Sequence, residues 1–366
     1  MTVALIRIAT VLTAILTLAN TCDRVAAAAE AKISLATRVI ELPVAGEASA
    51  LTFSPDGEYL AARIPSTSNV YVWAWKTGRL IRTDAVGGIA GHLNKAALKY
   101  SPDGASLALA YDIANQDPVQ PPQPWRSVIR IWDMKSPQRA RVIDDHIGRT
   151  LPALEFSPDG ALLLHLHEKS EETPGDQFVV SRVTDGQQLW GLRVLPFRPV
   201  RLAVSPDGRQ VALGGMEVEP GVVAMHSPIW IVDLAKRAIV RKINAFPADS
   251  TIDDLSWTPD GERIAAGAGV FNVYPGAKTV KVFSVATGAE VAGASAPDQL
   301  LSALQYACAG KCVAEAGITG IVTLWDNSLQ HVLQKIPASL GPIAVSRDMR
   351  FLALQSESTL SVWKLE

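Results

Sequence analysis

The sequence predicts an all-β chain, a seven-bladed β-propeller of four-stranded antiparallel blades. Three observations carry this. An apolar residue followed by Ser-Pro-Asp-Gly recurs along the chain, each copy is followed by two strand-like runs, and a spare strand near the N-terminus matches a strand missing from the last repeat. Four short strands returning every 40 to 50 residues or so is the period of a propeller blade.

The copies stand at Phe53-Ser54-Pro55-Asp56-Gly57, Tyr100 to Gly104, Phe156 to Gly160, Val204 to Gly208 and Trp257-Thr258-Pro259-Asp260-Gly261, with weaker ones at Tyr306 to Gly310 and Val345 to Met349. Ser, Pro with φ already near about −65°, Asp and Gly in that order suit a type I turn. Apolar residues on both sides, as in Leu51-Thr52-Phe53 and Tyr59-Leu60-Ala61-Ala62, make each copy the corner of a hairpin. A third strand follows in every repeat: Val70 to Trp73, Ile129 to Asp133, Phe178 to Ser181, Ile229 to Asp233, Thr279 to Phe283, Ile321 to Asp326 and Leu360 to Trp363. Turns at Thr77-Gly78, Asp185-Gly186 and Thr287-Gly288 lead to fourth strands such as Arg79 to Arg82 and Ala238 to Lys242. The last repeat has no fourth strand. Ala36 to Leu42 can supply it, which would leave no open edge in the ring.

Trp132-Asp133, Gly320 to Asp326 with its Trp325-Asp326, and the pair Gly91-His92 resemble the WD-repeat propellers over nearly the whole chain after residue 33. That resemblance implies the ring closure just described and a non-catalytic scaffold that binds protein partners. The match is degenerate: Ser181, Val232 and Phe283 stand at the Trp position, and most repeats lack Gly-His. The Ser-Pro-Asp-Gly corner also resembles the propeller of periplasmic TolB proteins, the second family in line.

From each corner to the Trp position, blades two to five are longer than blades one, six and seven, whereas the return to the next corner varies less. The additions fall between second and third strands, roughly Asp112 to Ser127, Glu168 to Gln177, Gly214 to Pro228 and Gly267 to Lys278. In an up-and-down blade these connections share one end of the ring, so they are expected to form a crescent. Loops on a rigid scaffold commonly carry binding residues. The candidates are Trp125 behind a Pro-rich stretch, Glu171 and Glu172, His226, and Phe271 with Tyr274, aromatic and charged groups of the kind that build protein-binding patches. The alternative is a set of tolerated insertions.

A second candidate region gathers Asp144, Asp145 and His146, read as the connection entering blade three, with His165 and His167 at the end of its second strand. Imidazoles and carboxylates are metal ligands, so His146, His165, His167 and Asp145 are the candidates for an enzyme or metalloprotein, against a structural, hydrogen-bonded role on a packed strand. No Gly-x-Ser-x-Gly, His-Glu-x-x-His, phosphate loop or dinucleotide fingerprint occurs. Asp253 and Asp254 are read as neighbours in an extended connection that point apart. No cofactor and no enzyme activity are expected.

With 366 residues, 48% hydrophobic and a net charge of −2, the chain carries no basic footprint for nucleic acid. Residues 1–29 read as a secretory signal peptide, with Ile8 to Ala19 as the apolar run and Ala27-Ala28-Ala29 before the cleavage point, or as an uncleaved anchor. The propeller then spans 34–366 as an exported, periplasmic or secreted, monomeric ring that touches a membrane through such an anchor if at all. Cys308 and Cys312 flank the sixth corner, where Ser-Pro-Asp-Gly chemistry is missing. They form either a disulfide, which exported proteins permit, or two reduced thiols in one loop.

Overall fold

The computed structural model describes residues 35–86, 96–113, 126–136, 140–147, 153–167, 175–218, 225–247, 250–270, 279–295 and 301–366. Ala36–Glu366 is one compact unit of seven four-stranded antiparallel sheets. In blades one to six the strand order follows the chain. Their innermost strands are Ala50–Phe53, Ala96–Tyr100, Leu154–Phe156, Phe197–Val204, Ser250–Trp257 and Leu301–Ala307. Blade seven is built from Ile343–Val345, Phe351–Ser356 and Thr359–Leu365, with Ala36–Pro43 as its outermost strand. That strand runs antiparallel to the last one from Ala36 opposite Leu365 to Pro43 opposite Thr359, so the first and last described strands close the ring together.

The corners explain why the repeat is so regular. In the first, the Gly57 N–H donates to the Ser54 carbonyl at 2.9 Å, and Gly57 takes a φ of 70° that favours glycine. The Ser54 hydroxyl donates to Asp56 Oδ1 and accepts the Tyr59 N–H at 2.9 Å, while Asp56 Oδ1 also accepts the Glu58 N–H at 3.0 Å. The same bonds recur around Ser101, Ser157, Ser205, Thr258 and Ser346. At the seventh corner Met349 adopts the left-handed φ, 57°, in place of glycine. The hydroxyl bond, followed by the backbone N–H, holds the carboxyls of Asp103, Asp159, Asp207 and Asp260 below their ordinary range.

Between blades the core is apolar. Leu51, Leu98, Leu154, Leu202, Leu255 and Leu304, each on an innermost strand, are buried against the preceding blade. Full burial of such a side chain contributes about 2 kcal/mol. Corner packs on corner as well: a Cβ added at Gly104 or Gly160 would lie 3.6 Å from the Pro of the preceding corner, and one at Gly208 only 2.8 Å.

Three expectations about strand limits are corrected. Asp144, Asp145 and His146 belong to the outermost strand of blade two, Ala140–Ile147, and not to a connection. Asp253 and Asp254 lie inside the innermost strand of blade five, at a bulge. His226 lies within the strand Met225–Asp233, paired in register with Glu217, because the blade-four hairpin continues past Gly214 to Val218. In each case polar residues at a strand end satisfy the ladder as well as apolar ones, since side-chain polarity does not enter backbone pairing.

Candidate functional site

Every second-to-third connection leaves the ring at the end opposite the corners, because antiparallel strands alternate in direction. In blades one, six and seven these connections are residues 65–68, 318–320 and 357–358; in blades two to five they are 114–125, 167–177, 219–224 and 271–279. The connections at this end are therefore unequal in length, the longer ones all falling in blades two to five. Trp125, Glu171, Glu172, Phe271 and Tyr274 lie outside the described residues, as do Gly91 and His92. His226 is exposed on its strand at this end.

His165, on the strand Leu162–Leu166, and His167, just beyond its end, have ring centroids 4.9 Å apart. His165 is buried, and its Nε2 is 3.1 Å from the Ser181 hydroxyl on the neighbouring strand. That bond and the packing around it give His165 a structural setting. The strand positions of Asp145 and His146 are known, and their side chains lie outside the described residues. Among the described residues no group of three or more His, Cys, Asp or Glu is placed to hold a metal.

Cys308 and Cys312 form a disulfide with Cα atoms 5.4 Å apart. It spans the one corner that lacks the Ser and Asp bonds, where Cys308, Ala309 and Gly310 all have φ between 53° and 82°. Two non-glycine residues in the left-handed region are costly, and a covalent clasp offsets that cost.

The channel that the innermost strands enclose is polar, which sequence reading missed. Lys99 and Glu155 form an ion pair between blades two and three while keeping 36% and 27% of their side-chain surface accessible. Asp254 accepts the Leu255 N–H at 2.9 Å and, from blade six, the Leu304 N–H at 2.8 Å. Arg201 donates through Nε to the Asp253 carbonyl. Desolvation raises the Asp254 carboxyl, and Arg201, the two N–H groups and Lys99 only partly oppose it. For Lys99, desolvation is outweighed by the charge and hydrogen bond of Glu155 and the charge of Asp254, so its pKa rises. The signal was present in the repeats: Lys99 and Glu155 each stand two residues before a corner Ser, where the other blades carry Thr52, Ala203, Ser256, Gln305 and Ala344.

Innermost strands are edge strands, so their channel-side N–H groups need acceptors. Side chains of the preceding blade supply them: Asp254 for Leu304, the Ser256 hydroxyl for Tyr306 at 3.0 Å, and Gln305 Oε1 for Val345 at 2.8 Å. The channel charges thus hold neighbouring blades together. At the corner end a cleft of about 330 Å³ opens beside Trp257 between the corners of blades four and five. Its carboxylates, Asp207 and Asp260, are committed through Oδ1 to their own turns.

No protein-family model and no curated protein matches the chain. Solved structures do: a chain in the crystal structure of the mitotic checkpoint complex superposes with a TM-score of 0.67 and 20% identity, over 90% of this chain and 92% of that one. Similarity at that identity defines the architecture, a seven-bladed propeller.

Proposed function

We propose that this propeller is a non-catalytic protein-binding scaffold of the WD-repeat kind, exported from the cytoplasm, that engages its partner through the crescent of blades two to five. The observation that supports it most is the placement of all four long connections on consecutive blades at one end of an otherwise regular ring. The similar chain of known structure is itself part of a protein complex. A disulfide in the sixth corner agrees with an oxidising compartment.

In this reading Trp125 and Tyr274 anchor the partner, and Glu171, Glu172, His226 and Phe271 surround them. The test is capture from the native exported fraction with the mature chain as bait. Trp125→Ala with Tyr274→Ala is expected to abolish capture while the unfolding temperature stays unchanged. Equal recovery of partner by the double variant overturns the reading. Fractionation of cells together with the N-terminal residue of the recovered chain tests export: cleavage near Ala29 is expected, and an intact N-terminus in the cytoplasmic fraction overturns it.

A further inference from the structure

Blades six, seven and one reach the end of the ring opposite the corners with short connections, and one buried side chain ties these together. Gln355, on the second strand of blade seven, is 1% exposed. Its Oε1 accepts the Ala48 N–H, its Nε2 donates to the Gly46 and Glu357 carbonyls at 3.3 and 3.1 Å, and its own carbonyl accepts the Ser339 N–H at 2.7 Å. The Ser339 hydroxyl in turn accepts the Glu357 N–H at 2.6 Å. Further bonds run outward from this hub. The Val44 N–H donates to the Ser358 carbonyl at 3.1 Å, the Ser66 hydroxyl to the Ala45 carbonyl at 3.2 Å, and the Ala338 N–H to the Gly320 carbonyl at 2.9 Å. Residues 43–49, 65–68, 318–320, 337–342 and 356–358 are thus knit into a platform across three blades.

The surface of that platform has a definite chemistry. Leu340 and Ile318 are its most exposed large apolar side chains, at 54% and 47%. The pairing of Ile321 with Pro337, carried one step further by the Ala338 bond, sets their two connections side by side. Leu340 follows Ser339, Glu357 offers its carbonyl to Gln355, and Glu47 lies between Gly46 and Ala48, so an aliphatic side chain and two carboxylates radiate from the same hub. Both carboxylates are exposed, and neither has an ion pair among the described residues. The five stretches contain no Lys, Arg or His. Exposed apolar surface rimmed by polar groups is the pattern of a protein interface, charge of one sign selects partners of the other, and a frame already held by hydrogen bonds loses little freedom on docking.

We infer that this platform docks a segment of a partner protein that lays aliphatic side chains on Leu340 and Ile318 and sets a Lys or Arg between Glu47 and Glu357. The surface belongs to the blades that the crescent leaves out, and it stands whether or not the crescent binds.

The test is selection from a random-peptide display library on the full chain, followed by titration of the enriched peptides. Peptides that combine Lys or Arg with Leu, Ile, Val or Phe are expected to be enriched. Leu340→Asp, and Glu47→Gln with Glu357→Gln, are each expected to weaken their binding about tenfold or more, and salt should weaken binding to the wild type more than to the double Gln variant. Glu262→Gln, at an exposed corner, and Trp125→Ala with Tyr274→Ala should keep the full affinity. Selection without enrichment overturns the surface, as do enriched peptides free of basic residues or peptides bound equally by Leu340→Asp. Peptides lost only in the Trp125 and Tyr274 variant belong to the crescent and also overturn it. So does self-association, read by sedimentation, that Leu340→Asp abolishes, since a second copy would then occupy the platform.

Discussion

The two ends of this ring are built on opposite rules. At the corner end, six of the seven hairpins repeat one set of bonds, a Ser or Thr hydroxyl and an Asp carboxylate bracketing the turn, and the remaining one, at the sixth corner, uses a disulfide. At the other end the connections range from residues 357–358 to 114–125. Identical chemistry at one end fixes the register of every blade, and that frees the opposite end to change length without disturbing the ring. Changes at the corner end should therefore cost stability, and changes at the long connections should cost binding alone.

The largest effect is expected from the closing strand. Deleting residues 36–43 exposes the edge of Thr359–Leu365 and uncovers Leu42, which is fully buried in the core between blades seven and one. The chain should unfold at a much lower temperature or fail to fold, and a deleted form with unchanged calorimetric melting would refute closure as the keystone. Next comes Cys308→Ala with Cys312→Ala. A loop this short predicts a loss of about 2 kcal/mol, measured by denaturant titration. Putting Ser-Pro-Asp-Gly in place of Ala307-Cys308-Ala309-Gly310 in that variant should restore part of it, which would show that the two clasps are interchangeable.

A smaller effect is expected at a single corner. Ser157→Ala removes an acceptor for the Leu162 N–H and a donor to Asp159, at about 1 kcal/mol. Its pH dependence has a definite sign. Asp159 titrates below its ordinary value when folded, so its contribution is full above the ordinary carboxylate pKa and is lost as pH falls through the depressed one. The penalty of Ser157→Ala should thus shrink between neutral pH and about pH 3; a penalty that is constant with pH would remove Asp159 from the clasp. Smallest of all, substitutions at Trp125 and Tyr274 should leave unfolding untouched while abolishing capture, and a comparable loss of stability there would erase the contrast between the ends.

What the sequence made legible follows the same division. The corners could be read because their chemistry is local: Ser54, Pro55, Asp56 and Gly57 specify a turn with no help from the rest of the chain. Closure could be read because a strand was missing after Thr359–Leu365 and another was spare at Ala36–Pro43. The limits of strands could not, since Asp144, Asp253 and His226 are polar residues that look like loop and yet sit in ladders. The site chemistry was least legible. Lys99 and Glu155 are partners 56 positions apart in the chain.

The bonds that run from one innermost strand to the next give each repeat an address. If blade five were replaced by a copy of blade two, Ala97 would stand where Asp254 does and Lys99 where Ser256 does, and the N–H groups of Leu304 and Tyr306 would lose their acceptors. Modules that look interchangeable on paper are thus keyed to the neighbour they precede, and shuffling them is expected to yield rings that assemble poorly even when every blade is individually sound.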